Sequence, residues 1–308
     1  MRILKKIISC IKNPKKILYY LDRKGLCRIN DEEYIKMMYN EKFNTYPDLK
    51  SPKTFNEKLQ WLKLYDRNDE YTKMVDKYEA KKYVREKIGE EYIIPNFGVW
   101  EKFDDIDFEK LPNQFVIKCT HDSGGLVICK DKAKLNIKEA RKKINNCLKR
   151  NYYYPSREYV YKNIKPRIIA EKYITNGSEE ELKDYKILVF NGKAKCSFVC
   201  SDRYNKEKGL AIDFFDINWK HMPVKRHYRN SDEEIQKPIN YEKMIELSEK
   251  LAEGIPFVRV DFYEINKKIY FGELTFYPGA GLEEFEPVEY DKLLGDMLEL
   301  PIKEMEAN

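Results

Sequence analysis

The chain has 308 residues, 42% of them hydrophobic and 36% charged, enough to bury a substantial core in two or three packed lobes. Fifty-eight Lys and Arg stand against 52 Asp and Glu, and a net charge of +6 is too modest for a chain whose partner is nucleic acid. With no apolar run near the ~18 residues of a membrane span, no leader with a small-residue cleavage site, no C-x-x-C among seven cysteines and only three histidines, the expectation is a reduced, cytoplasmic protein without a zinc site.

Residues 1–50 read as a basic, amphipathic helical extension. From Arg2 to Lys12 the residues Ile3, Leu4, Ile7, Ile8 and Ile11 keep helical spacing, with Lys5, Lys6 and Lys12 elsewhere. A second apolar set, Ile17, Leu18 and Leu21, follows Pro14. This face can pack on the protein or on a second subunit, or residues 1–26 can lie on an anionic membrane surface. Tyr34, Met38, Tyr39 and Phe43 suggest a further helix and linker over residues 31–50.

Residues 51–112 form a helical region. Phe55, Leu59, Leu62 and Tyr65 place a helix over Thr54 to Tyr65, with Pro52 just before it. Another helix is expected from Tyr71 to Ile88, carrying Asp76-Lys77 and ending near Gly89. That pair has a capping or packing role as readily as a catalytic one.

Residues 113–172 contain the segment QFVIKCTHDSGGLVICK from Gln114. Phe115 to Lys118 reads as a strand, Thr120 to Gly125 as a flexible loop, and Leu126 starts the return strand. A loop tipped by Ser123, Gly124 and Gly125 can fold over phosphates with unobstructed backbone N–H donors, and Lys118 adds a cation at its base. No P-loop or G-x-G-x-x-G pattern is present. Glu139 to Arg150 reads as a basic helix. The segment Asn151 to Tyr159 is rich in tyrosine, suited either to a wall for a sugar or to joining lobes. Arg167 to Ile174 (RIIAEKYI) is a strand whose end, Glu171 to Ile174, can offer backbone groups to an adenine edge, with Glu171 facing the exocyclic amine. On its own it is also an ordinary buried strand ending in a charged turn.

Residues 173–308 hold two hairpins. Asp184 to Arg203 turns at Asn191-Gly192, a strong hairpin signal, with Asp184 and Lys186 on one face and Asp202 and Arg203 at its end. Cys196 and Cys200 read as buried small apolar residues. The second hairpin runs from Arg259 to Gly281, with a polar turn at Asn266-Lys267-Lys268. Arg259, Asp261 and Tyr263 share one face, as do Glu273 and Thr275 on the return strand. Pairing brings Asp261, Glu273 and the Thr275 hydroxyl together beside Arg259. Such oxygen donors suit Mg²⁺ bridging nucleotide phosphates. A surface hairpin with a salt bridge is the plainer alternative.

In this order the pieces resemble the ATP-grasp superfamily, and within it the TupA-like branch, from about Ser51 to Pro287. The resemblance includes SPKTFNEKLQWLKLYDRN from Ser51 and VDKYEAKKYVREKIGEEYIIPNFGVW from Val75. It implies an α+β ATP-grasp fold in which two lobes hold ATP between antiparallel sheets. The lobes would be 113–172, with the glycine-rich loop, and 173–308, with the Mg²⁺ hairpin. They would follow a substrate region (51–112) and the helical extension (1–50). Lys118 and Ser123-Gly124-Gly125 would cover ATP, and Glu171, Lys172 and Ile174 would read adenine. Asp184 and Lys186 would border the nucleotide, Arg203 would meet phosphate or the acyl intermediate, and Arg259 would bind phosphate. Asp261 and Glu273, with Thr275, would hold the metal. Two positions depart from the pattern. Thr275 stands where many members have Asn, and a hydroxyl is the weaker ligand. Lys186 stands where Arg is common and loses the bidentate fork. The implied reaction is ATP-dependent ligation of a carboxylate to an amine through an acyl phosphate, in capsule or surface-polysaccharide synthesis. The implied partners are an amine or amino acid and a carboxylate-bearing glycan, such as a lipid-linked or nucleotide-activated uronic acid. A kinase on the same scaffold and a non-catalytic scaffold protein are the alternatives.

Overall fold

The computed structural model describes residues 14–23, 27–176, 182–203, 205 and 207–301. Helices α1 (Pro14–Arg23), α2 (Asp31–Phe43), α3 (Phe55–Tyr65), α4 (Asp69–Val75) and α5 (Glu79–Lys87) come first. A small antiparallel sheet follows: β1 (Asn96–Trp100), β2 (Phe115–Cys119), β3 (Leu126–Cys129) and β4 (Ile168–Lys172), in the order β1-β4-β2-β3. Between β3 and β4 run α6 (Ile137–Leu148) and the single turn α7 (Tyr153–Ser156). The larger antiparallel sheet has β5 (Asp184–Phe190), β6 (Lys193–Ser201), β7 (Ala211–Asp216), β8 (His221–Met222), β10 (Phe257–Ile265) and β11 (Lys268–Thr275), ordered β11-β10-β5-β6-β7-β8. A short ribbon pairs β9 (Lys225–Arg226) with β12 (Phe285–Glu286), and α8 (Tyr241–Leu251) and α9 (Glu289–Asp296) are the last helices among the described residues. The class is α+β, as the resemblance implies.

Local chemistry sets the elements. Thr54 and Glu57 form a reciprocal capping box that starts α3. Asn136 caps α6, whose Ala140, Ile144 and Cys147 face inward on the small sheet. The helix expected over Tyr71 to Ile88 is instead two, α4 and α5. Asp76 breaks it: its Oδ1 accepts from the backbone N–H of Tyr78 (2.8 Å) and Glu79 (3.2 Å), so a side chain replaces the helical carbonyl partner there. Both hairpin turns have two central residues at positive φ: Asn191 and Gly192 (48° and 76°), Asn266 and Lys267 (51° and 62°). Their type I′ twist matches that of the strands, and Lys268 already belongs to β11.

Two hydrophobic cores result. One lies under the small sheet, around Phe103, Phe115, Ile117, Ile144 and Ile168. The other joins α3, α4, α5 and α8 to the large sheet. On the large sheet, α8 covers one face, with the Tyr241 hydroxyl 2.8 Å from Ser197 Oγ. Along the opposite face the cross-strand pairs change from Phe257–Phe190, packed by Phe55, to Asp261–Lys186 and Tyr263–Asp184. The charged end of that face borders the cleft between the sheets.

The expected helix over Arg2 to Lys12 lies outside the described residues. In α1 the inward residues are Tyr19 and Asp22, whereas Ile17 and Leu18 are 40% and 45% exposed. The reason is polar: Asp22 accepts from the Ile29 N–H (3.0 Å) and pairs with buried Arg157. Arg157 also lies 3.8 Å over the Tyr34 ring and 3.2 Å from Asp31, and the Tyr153 hydroxyl donates to Asp31. The tyrosine-rich segment thus fastens α1 and α2 to the body. Among the described residues, no helix is long and apolar enough to cross a membrane.

Candidate active site

Strand alternation turns Phe115, Ile117 and Cys119 into the small core and leaves Val116 and Lys118 toward the cleft. Beside them, Glu171 of β4 is 4% exposed. Its carboxylate takes the ammonium of Lys118 at 2.6 Å and that of Lys81 at 2.7 Å. Burial alone would raise its pKa, but the two lysines hold it below the usual glutamate range. Each Glu171 oxygen is thus paired with one lysine and keeps a further lone pair. Lys81, from α5, also donates to the Ile94 carbonyl (2.6 Å), and burial pushes its pKa down. Sequence reasoning missed Lys81. A lysine between Ala80 and Val84 on the buried stripe of an amphipathic helix was the available signal.

The glycine-rich loop is anchored from below by the residues after α4. The Lys77 N–H donates to the Thr120 carbonyl (3.1 Å), and Lys77 Nζ donates to the Asp122 carbonyl (2.7 Å). Asp76 Oδ2 accepts from Thr120 Oγ1 (3.3 Å) and Arg167 (3.0 Å). Asp76 is thus a cap and a loop anchor. Gly124 has φ 110°, a conformation that only glycine adopts without strain. At Gly125 a Cβ would sit 2.7 Å from Asp122 Oδ1 and 2.9 Å from Cys119, so the loop closes only over a bare backbone.

Across the cleft, β10 and β11 pair Asp261 with Glu273 and Arg259 with Thr275. A bulge at Gly272 preserves this register, and a Cβ there would lie 3.1 Å from the Asp261 carbonyl. Arg259 Nε and Nη2 donate to Asp261 (2.6 and 2.7 Å), and Nη2 also donates to Glu273 (2.8 Å). Thr275 Oγ1 donates to Glu273 at 3.3 Å. Lys186 bridges Asp184 (2.7 Å) and Asp261, and Arg203 pairs with Asp184. Desolvation pushes the Asp261 carboxyl up against the pull of Arg259 and Lys186. Glu273 has a side chain 42% open; burial opposes its charge, yet Arg259, Lys77, Lys186 and Lys118 bring it down to about 2. Of these two carboxylates on neighbouring strands Glu273 is the open one, whereas both oxygens of Asp261 accept from Arg259 and one also from Lys186. A Mg²⁺ there would be held first by Glu273 and take its other ligands from phosphate and water, with Asp261 joining as those cations shift.

The cleft is about 930 Å³ and is lined by Lys118, Leu126, Ile128, Glu171, Lys172, Ile174, Asp184, Arg203 and Tyr263, among others. A narrow crevice shares Lys118 and Glu171 with it and adds Lys77, Lys81 and Glu273. Lys77, Lys81 and Lys118, from the first half of the chain, therefore line one crevice with the open carboxylate of the second. Sequence reasoning also missed the residues that set the turn after β11. Asn56, Gln60 and Lys63 form a polar stripe on α3. Gln60 donates to the Gly281 carbonyl (2.6 Å), Lys63 to the Ala280 carbonyl (2.6 Å) and Asn56 to the Glu283 carbonyl (2.8 Å).

Among solved structures, a D-alanine–D-alanine ligase from Bacillus anthracis in complex with ATP is similar at 18% identity and a TM-score of 0.39, over 73% of this chain and 63% of that one. The Helicobacter pylori D-alanine–D-alanine ligase gives 15% identity and a TM-score of 0.39 over 73% and 61%. The ATP-grasp ligase PsnB, with a precursor variant, Mg and ADP, gives 9% and 0.41 over 77% and 63%. The chain thus spans less than two thirds of the length of these structures. No curated protein matches it. The sequence family described as TupA-like ATPgrasp matches residues 57–299, well over half of the chain, and the protein belongs to that family.

Proposed function

We propose that the protein is an ATP-dependent carboxylate–amine ligase that works through an acyl phosphate. The observation that carries this reading is that Glu273, open at its side chain and held by Arg259 beside Asp261, lines one crevice with Lys77, Lys81 and Lys118. ATP would lie between the sheets, with Lys172 to Ile174 at the adenine edge and the Ser123–Gly125 backbone over the phosphates. Asp261 and Glu273 would hold Mg²⁺, which when bound neutralises charge on the phosphate oxygens; the Thr275 hydroxyl supports Glu273. A substrate carboxylate oxygen attacks the γ-phosphorus, and the bond from that phosphorus to the bridging oxygen breaks to release ADP. An amine then attacks the acyl carbon, phosphate leaves, and the amine proton passes to solvent. Lys118, Arg203 and Arg259 would offset the charge that builds on the transferring group, so the protein positions and neutralises and supplies no nucleophile of its own.

The carboxylate is proposed to be a uronic acid of a surface glycan, lipid-linked or nucleotide-activated, and the second substrate an amine or amino acid. Support for a membrane-side location comes from the amino terminus. Residues 1–26 carry eight Lys and Arg and a single acid, Asp22, which is buried against Arg157. The rest of the chain is close to neutral, and α1 exposes Ile17 and Leu18. Such a segment suits an anionic surface. Incubating the purified protein with ATP, Mg²⁺ and a panel of uronic acids and amines, alongside Glu273→Ala, tests the reaction. ADP release tied to one carboxylate–amine pair, with a product one water lighter than their sum and loss in Glu273→Ala, is the expected result. A phosphorylated sugar without joining would make it a kinase, and absence of both turnover and nucleotide binding would leave a scaffold.

A further inference from the structure

Four basic side chains stand on or over the charged face of the large sheet: Lys186, Arg203, Arg226 and Arg259. Three are hydrogen-bonded to carboxylates: Lys186 to Asp261, Arg203 to Asp184, and Arg259 to Asp261 and Glu273. Arg226 differs. It projects from β9 with 9% of its surface exposed, and its buried Nε has no hydrogen-bond partner among the described residues. Arg226 forms an ion pair with Glu283 at 3.7 Å from that Nε, a separation beyond hydrogen-bond length, so the Nε donor itself stays unfilled. The guanidinium carbon instead lies 4.3 Å over the Phe198 ring and 5.9 Å from that of Phe214.

This position is next to the candidate reacting centre. Phe198 is the register partner of Lys186, and Arg259 approaches the same ring at 5.8 Å. Arg226 and Arg259 therefore share one aromatic platform, with the Asp261–Glu273 pair beyond Arg259. A buried guanidinium with an unfilled donor is costly, and an incoming anion removes the cost. Stacking on Phe198 holds the fork in one plane. A planar fork matches a carboxylate in two parallel hydrogen bonds, which a lysine could not supply.

We infer that Arg226 binds the carboxylate of the acyl-donor substrate and orients it toward the phosphates held by Arg259 and its neighbours. This rests on the ligase reading above and adds to it the residue that recognises the acid. The test measures thermal stabilisation of the wild type, Arg226→Met and Arg226→Lys by D-glucuronate, D-galacturonate and L-glutamate. The methyl ester of each acid, inorganic phosphate and Mg-ADP are run beside them. At least one free acid should stabilise the wild type where its ester does not. Its apparent affinity should fall at least tenfold in Arg226→Met and remain clearly weakened in Arg226→Lys, while the Mg-ADP shift stays the same in all three. The inference is overturned if no acid stabilises the wild type, if the acid binds both variants as tightly, or if only inorganic phosphate responds to the substitutions. Should Arg226→Met not fold, Arg226→Lys decides, since unchanged affinity there removes the need for a fork. Failure of Mg-ADP to stabilise the wild type would instead remove the ligase reading, and the acid-against-ester comparison would still stand on its own.

Discussion

Replacing Glu171 by Gln isolates the electrostatics of the cleft wall. The substitution keeps shape but removes the charge that Lys81 and Lys118 share at 2.7 and 2.6 Å. Breaking a buried ion pair by deleting one partner costs about 3–5 kcal/mol. Here Lys118, with a side chain 24% exposed, can turn toward water, and Lys81 keeps its bond to the Ile94 carbonyl. The cost therefore falls to the bottom of that range or just below it, about 2–3 kcal/mol, and for a large domain it corresponds to a fall in Tm of roughly 5–10 °C. The pH dependence has a definite sign. Because the Glu171 pKa is lowered on folding, its stabilisation is complete above the unfolded value of about 4.3 and disappears as pH falls through the folded value. The two proteins should differ fully at neutral pH and converge in acid. Calorimetry with and without Mg-ADP adds a second sign. If the lysines face nucleotide phosphates, the nucleotide replaces the missing charge, so its stabilising shift should be larger in Glu171→Gln than in the wild type. An unchanged Tm at pH 7 would refute the energetic argument, and a smaller Mg-ADP shift in the variant would refute the placing of phosphates at these lysines.

Three further outcomes are expected. Asp76→Ala removes the cap of α5, worth about 1 kcal/mol, and one of the two carboxylates on Arg167. Urea denaturation should show a loss of about 2–4 kcal/mol with faster amide exchange in residues 120–125; a loss below ~1 kcal/mol would contradict the hub role. Gly125→Ala should cost about 1–3 kcal/mol and weaken nucleotide binding, because its Cβ meets Asp122 and Cys119, whereas Gly124→Ala meets nothing and carries only backbone strain of about 1 kcal/mol. Equal effects on stability at the two positions would refute the steric account. Glu273, drawn down to about 2, remains ionised from pH 5 to 9, so Mg²⁺-dependent nucleotide binding should show no acid limb from this group, and Glu273→Gln should abolish that Mg²⁺ dependence at every pH tested. Binding titrations with and without EDTA check both statements.

Much of the site's layout was legible because strand chemistry is local. Alternation puts Arg259, Asp261 and Tyr263 on one face whatever the rest of the chain does, and Asn191-Gly192 forces a tight hairpin wherever it lies. The SGG loop and Lys118 were readable for the same reason. Helix breaks were harder to see. Asp76 keeps helical spacing in its neighbours, and only its side-chain bonds to two following N–H groups end the helix. The polar stripe Asn56, Gln60 and Lys63 was hidden because its partners are carbonyls more than two hundred residues away.

By itself, then, the sequence determined the hairpins, their faces, the capped helices and the family, all of which depend on contacts between residues close in the chain. Only tertiary structure decided how charges are shared. That Glu171 meets two lysines depends on α5 packing against β4, and which of the two metal-type carboxylates stays open depends on where the Gly272 bulge sets the register. The inward face of α1 was decided by Asp22 meeting Arg157, 135 residues away, and not by its aliphatic residues. Long-range ion pairs of this kind form from whichever opposite charges the fold brings into a dry place, and one-dimensional spacing carries no record of that distance.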